Sequence, residues 1–199
     1  MPNTKLKPDG STTRESVLKA AVAEFLSKPY DKATLRKIAQ RAGVDVAYVH
    51  RLFGSKQALF NEVLYSVFER VEQDLWKEGD FLENLLAMGR DVDLEKMFDG
   101  VDPIDLFIHS LGNTEARSMM TDFLISHFIE PVAASIGGED SSTAAEQLYA
   151  FFIGYRILRR CVGGPAEERF APLAVDARTI RMLSDLGKGV RNSKCAHVA

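Results

Sequence analysis

ATLRKIAQRAGVDVAYVHRLF, residues 33–53, decides how this chain is read. Leu35, Ile38, Ala39 and Ala42 recur at helical spacing and form the inner face of one helix. Ala39 is small enough for a second helix to approach closely. Gly43 supplies the positive φ that a tight turn between crossing helices requires. Asp45 caps a short following helix, which Val44, Val49 and Phe53 pin to the same core. Val46, Ala47, Tyr48, His50 and Arg51 are then left facing outward. The pattern is a helix-turn-helix, and an outward-facing second helix of this kind fits the major groove of DNA.

The flanks extend the same grammar. Thr12 and Glu15 have the spacing of a capping box, and Val17, Ala20, Ala21 and Phe25 stripe a helix to about Ser27, stopped by Pro29. After Gly54-Ser55, a long helix carries Leu59, Val63, Val67, Val71 and Leu75 on one face and extends to about Glu78. Two shorter helices are expected within 79–101, around Phe81–Met88 and Leu94–Phe98. Asp102-Pro103 opens a further helix with an N-cap and a first-turn proline, and another starts at Thr114. Pro131 should kink or end that helix near Ile129. A strongly apolar helix over 142–161 follows the Gly137-Gly138 break, and a last one spans about 176–186. Residues 1–10 read as a disordered arm. The expectation is an all-α protein of about nine helices.

Composition sets the class. The 199 residues are 46% hydrophobic and 27% charged, as in soluble globular proteins. The net charge of −3 conceals an asymmetry. Residues 1–56 hold 11 Lys and Arg against 5 Asp and Glu, a net of +6, leaving −9 for the remainder. A basic head on an acidic body implies a local nucleic-acid surface. The first 14 residues lack the apolar core of a signal peptide, and no stretch has the ~20 apolar residues of a membrane span. Cys161 and Cys195 lie far apart with no metal-ligand spacing. A cytoplasmic protein with no membrane association is expected.

The run Thr34–Phe60, TLRKIAQRAGVDVAYVHRLFGSKQALF, resembles the signature of the TetR family of bacterial transcriptional regulators. The shared pattern is Thr, three residues, Ile-Ala, two residues, Ala-Gly-Val, a short recognition helix ending in Phe, then Ser-Lys and Leu-Phe. The resemblance implies a three-helix DNA-binding domain, residues 1–54, joined by a long helix to a helical effector-binding and dimerisation domain, 55–199. It implies phosphate contacts at Thr34 and Arg36 and base or phosphate contacts at Ala47, Tyr48 and Arg51. Lys56 stands where a backbone phosphate is commonly held, and its charge beside helix N-termini points the same way. Two positions depart from the pattern: His50 replaces a usual Tyr that contacts phosphate, and Ala47 a frequent Gly. His50 can still donate to phosphate when protonated. The expected partners are double-stranded DNA carrying a palindromic operator, a second copy of the chain and a small effector, with control by repression that the effector relieves.

The helix over 142–161 is apolar around most of its circumference, which suggests that one face packs on a second subunit. The stripe Ala177, Ile180, Leu183 and Leu186 would join that homodimer interface. Phe107, Met119, Phe123, Phe151 and Tyr155 could wall a ligand pocket, with His109 and His127 as polar anchors, which fits a largely apolar effector. Asp105/His109 and His127/Glu130 have helical metal-site spacing, so a metal-dependent helical enzyme or metal-responsive regulator is the alternative. No second matching pair completes a carboxylate-bridged set, and no nucleophile elbow or phosphate loop is present. No catalytic residue, bound metal or cofactor is therefore expected.

Overall fold

Two side-chain caps and one glycine set the helix-turn-helix. Thr34 Oγ1 accepts from the Lys37 N–H at 3.3 Å and starts α2, Leu35–Ala42. Gly43 takes left-handed geometry, φ 69° and ψ 29°, ending α2 where a Cβ would be strained. The Val44 N–H returns to the Ala39 carbonyl at 3.0 Å. Asp45 Oδ1 then accepts from the Ala47 N–H at 2.7 Å and starts α3, Val46–Phe53.

The computed structural model describes residues 13–75, 102–136 and 138–162. The arm, Thr12 of the capping box, the helices expected within 79–101, the helix over 176–186 and the Tyr155 side chain lie outside this description. The described residues contain helices and no strand. Besides α2 and α3 these are α1 (Thr13–Leu26), a 3₁₀ turn (Tyr30–Lys32), α4 (Lys56–Leu75), α5 (Pro103–Leu111), α6 (Thr114–Leu124), α7 (Glu130–Ile136) and α8 (Ser141–Val162).

Two compact units share these elements. The first, the head, runs to Val67 and takes in Asp105–Met119, so the 1–54 stretch lies inside it. Val17, Ala21 and Phe25 of α1, Ile38 and Ala39 of α2, and Val49 and Phe53 of α3 are buried there together with Leu59, Phe60 and Val63. Phe25, Tyr30 and Phe60 form an aromatic triangle with centroids 5.0–5.7 Å apart. Full burial of such side chains stabilises by about 1.5–3 kcal/mol each. Ser55 Oγ accepts from the Ala58 N–H at 3.0 Å, opening α4 directly after Gly54 as the sequence leads one to expect.

The second unit, the body, holds 68–104 and 120–199. Phe68, Phe123, Phe128 and Tyr149 pack there with centroids 5.3–6.0 Å apart. Asp102 Oδ1 accepts from the Ile104 N–H at 3.0 Å, the cap expected before Pro103. Its other oxygen takes Arg156 of α8 at 2.9 Å, with both side chains nearly buried. The break expected at Pro131 takes the form of a π-helical segment, Ile125–Ile129, from which the chain continues directly into α7. The Glu130 N–H reaches back five residues to Ile125 O. Widening the turn just before a residue without an N–H lets the helix re-register rather than stop. The Ser126 hydroxyl donates to Asp122 O at 2.9 Å in the same stretch.

Candidate nucleic-acid interface

Burial of Val49 and Phe53 turns the opposite face of α3 outward, leaving Val46, Ala47, His50 and Arg51 exposed. Tyr48 departs from the expected pattern and is half-buried. The Arg51 guanidinium lies 4.9 Å from the centroid of its ring. The pair stands three residues apart, where helical side chains meet, and each limits the other's rotamers. A planar guanidinium held on an aromatic ring is prepared for bidentate contact with a base edge or phosphate. Thr34 and Arg36 are exposed at the start of α2, beside N–H groups with no intrahelical partner.

His50 closes the far end of α3. Its Nδ1 lies 3.1 Å from Gly54 O, and the Gly54 N–H donates to His50 O at 2.8 Å. The two residues therefore exchange a pair of hydrogen bonds around the turn. Gly54 adopts φ 77°, which a side chain would strain.

Lys56 has a different neighbourhood from the other basic residues. Its Nζ donates to Tyr30 O at 2.5 Å and lies 4.0 Å from the centroid of the Tyr30 ring. Burial, as the largest effect, holds its pKa below the usual lysine value, against the opposing pull of Asp31 and Glu115. The Tyr30 hydroxyl donates to Glu115 Oε2 at 3.2 Å, and Gln57 Nε2 donates to Glu115 Oε1 at 2.7 Å. Burial, then the Glu115 charge and hydrogen bond, raise the Tyr30 pKa. Sequence reading did not single out Tyr30, Gln57 and Glu115 as a group. They are 58 and 85 positions apart at their two hydrogen bonds, and no periodicity encodes such a pairing.

Residues 17–63 match the family model described as bacterial regulatory proteins, tetR family. The helix-turn-helix region is thus similar to that family's N-terminal domain. The match spans α1 through the first turns of α4, which are the elements that build and support the exposed face of α3. Solved structures extend the likeness of fold across the chain. NalD of Pseudomonas aeruginosa, titled the secondary repressor of the MexAB-OprM multidrug efflux pump, is 24% identical. That match covers 94% of this chain and all of NalD, with a TM-score of 0.57. Reduced NemR of E. coli is 19% identical over 91% of this chain and 97% of its own, with a TM-score of 0.59. Salmonella enterica GusR is 18% identical over 94% and 98%, with a TM-score of 0.61. At these identities the likeness is one of fold. No curated protein matches the chain significantly.

The residues expected to wall a pocket divide between the two units. Phe107, His109 and Met119 belong to the head, and Phe123, His127 and Phe151 to the body. His127 stacks on Phe123 at 4.5 Å between centroids. The His109 Nδ1 is buried with no hydrogen-bond partner among the described residues. The metal-spaced pairs Asp105/His109 and His127/Glu130 also fall in different units. Among the described residues no group of three or more His, Cys, Asp or Glu is placed to hold a metal ion. None of the described helices is long and apolar enough to cross a membrane.

Proposed function

We propose that this protein is a cytoplasmic, sequence-specific DNA-binding transcriptional regulator that acts as a homodimer and is released from its operator by a small effector. The observation that carries the reading is the exposed face of α3, with Arg51 set on Tyr48. It tops a buried core in a head whose first 56 residues have a net charge of +6. Thr34 and Arg36 hold phosphates and fix register, while Ala47, Tyr48 and Arg51 read base edges. Lys56 adds its charge from a tethered position and ties the start of α4 to the 3₁₀ turn.

Dimerisation rests on α8 and the stripe over 176–186. Ala144, Ala145, Leu148 and Tyr149 are buried, yet Leu158 remains 55% exposed on the same helix. A second copy covering that end removes apolar surface from water and presents two α3 faces about one DNA turn apart. Repression is the mode supported by the likeness to NalD. The effector reading rests on the aromatic side chains Phe123 and Phe151 of the body and, separately, on the buried His109 nitrogen of the head, which has no hydrogen-bond partner among the described residues. An effector preferring the state in which the two heads are mis-spaced lowers operator affinity by about 5–150-fold, the usual range of such coupling.

Selection of bound duplexes from a random pool tests the proposal. The expected product is a palindrome with half-sites about one helical turn apart. Recovery of no enriched sequence would overturn it.

A further inference from the structure

His50 stands at the reading surface with one ring nitrogen already committed. A backbone carbonyl can only accept, so the Nδ1 facing Gly54 O at 3.1 Å must carry the proton of that hydrogen bond. In a neutral imidazole the proton then cannot also sit on Nε2, which is left as an acceptor. The ring is exposed, and Nε2, on its opposite edge, has no partner among the described residues. A phosphate oxygen is also an acceptor. Neutral His50 and a phosphate therefore repel, whereas the imidazolium, with both nitrogens as donors, keeps the Gly54 bond and gains a charge-assisted one.

We propose that His50 is a proton-dependent DNA contact: one proton is taken up by each His50 as the protein engages the phosphate backbone. The proposal rests on the DNA-binding reading and deepens it. The charged groups on the elements around His50 are mostly cations or already paired. On its own helix the charged neighbour is Arg51, lying on Tyr48. The packed α2 carries Arg36, Lys37 and Arg41, all exposed. Arg14 of α1, whose guanidinium is 4.9 Å from the Phe53 ring centroid, is paired with Glu62 of α4. Lys56 is held on Tyr30 O. Asp45, at the other end of α3, is occupied by the Ala47 N–H. The phosphate is thus the anion that His50 meets, and its approach draws the proton on.

The measurement is operator affinity from pH 8 to pH 6 at fixed ionic strength, by fluorescence anisotropy on the selected duplex. Wild type, His50→Gln and His50→Tyr are compared. Wild-type affinity should rise about tenfold or more across this range, as expected for a hydrogen bond that becomes charged. His50→Gln should flatten the dependence. His50→Tyr, whose hydroxyl donates at either pH, should bind with little pH dependence and match wild type at pH 6. Calorimetry in two buffers of different ionisation enthalpy should show proton uptake by wild type and not by the variants. A slope unchanged in both variants, or absent in wild type, would overturn the proposal while leaving DNA binding intact. Failure to bind DNA at any pH would overturn the DNA-binding reading as well. Nitrogen-15 NMR of the free protein at pH 8 is an independent check, and a proton found on Nε2 of His50 would contradict the geometry.

Discussion

The head and the body each contain an aromatic cluster, and the two are finished differently. In the head, Phe25, Phe60 and Tyr30 are all buried, at 1%, 1% and 4% exposure. The polar edge of the triangle is closed by Lys56 on the Tyr30 carbonyl and ring and by Glu115 on the Tyr30 hydroxyl. In the body, Phe123 and Phe128 are buried, but Phe68 and the stacked His127 are half-buried. Phe128 and His127 also sit on the π-helical segment rather than on a regular turn. A cluster sealed by hydrogen bonds makes a rigid base for an exposed reading helix. One bordered by an irregular turn and an incompletely covered histidine leaves its packing open to change. The contrast places the sealed cluster beneath the helix proposed to match DNA and the less covered one in the part proposed to sense a ligand.

Truncation at equivalent points should give the largest difference between the two units. Phe60→Ala opens a cavity in a fully buried triangle and should destabilise the head by about 3–5 kcal/mol. Phe68→Ala removes a half-buried ring and should cost less than half as much. Thermal unfolding of the two variants checks this. Equal losses would mean that the body's cluster is packed as tightly as the head's.

A smaller effect isolates the polar closure. Tyr30→Phe keeps the ring stacking and removes only the bond to Glu115, so a loss of about 1 kcal/mol is expected. The raised Tyr30 pKa fixes the direction of the pH effect. Its contribution is fully present below about pH 10, the ordinary tyrosine value, and is lost as pH rises above it. Denaturant unfolding between pH 8 and 11 should therefore show wild type losing stability more steeply than Tyr30→Phe. Parallel curves would mean that the hydroxyl is not held as the structure shows.

What was legible in the sequence follows from the range of the interactions. The helix-turn-helix depends on caps, a left-handed glycine and helical spacing, all written within four residues of where they act. Gly43 and Asp45 each take the expected place. Pro131 announced a disturbance but not its form, because a π turn is chosen by what the neighbouring backbone can re-bond. The His50–Gly54 exchange was within reach of sequence reading, since a histidine four residues before a C-terminal glycine can meet its carbonyl. The Tyr30–Gln57–Glu115 group was not, because only the tertiary fold brings those positions together. The same holds for Lys56, whose sequence position suggests a free phosphate anchor and whose surroundings tether it.

In the proposed mode of binding, α2 positions the protein on DNA and α3 reads it. Its most direct test is to measure the affinities of Arg36→Ala and Tyr48→Ala for the selected operator and a scrambled duplex across a salt series. Arg36→Ala should weaken binding to both duplexes alike and reduce the salt slope by about one unit. Tyr48→Ala should lose preference for the operator while leaving the salt slope in place. If Arg36→Ala binds as well as wild type at every salt concentration, or Tyr48→Ala retains the full sequence preference, the assigned docking face is wrong.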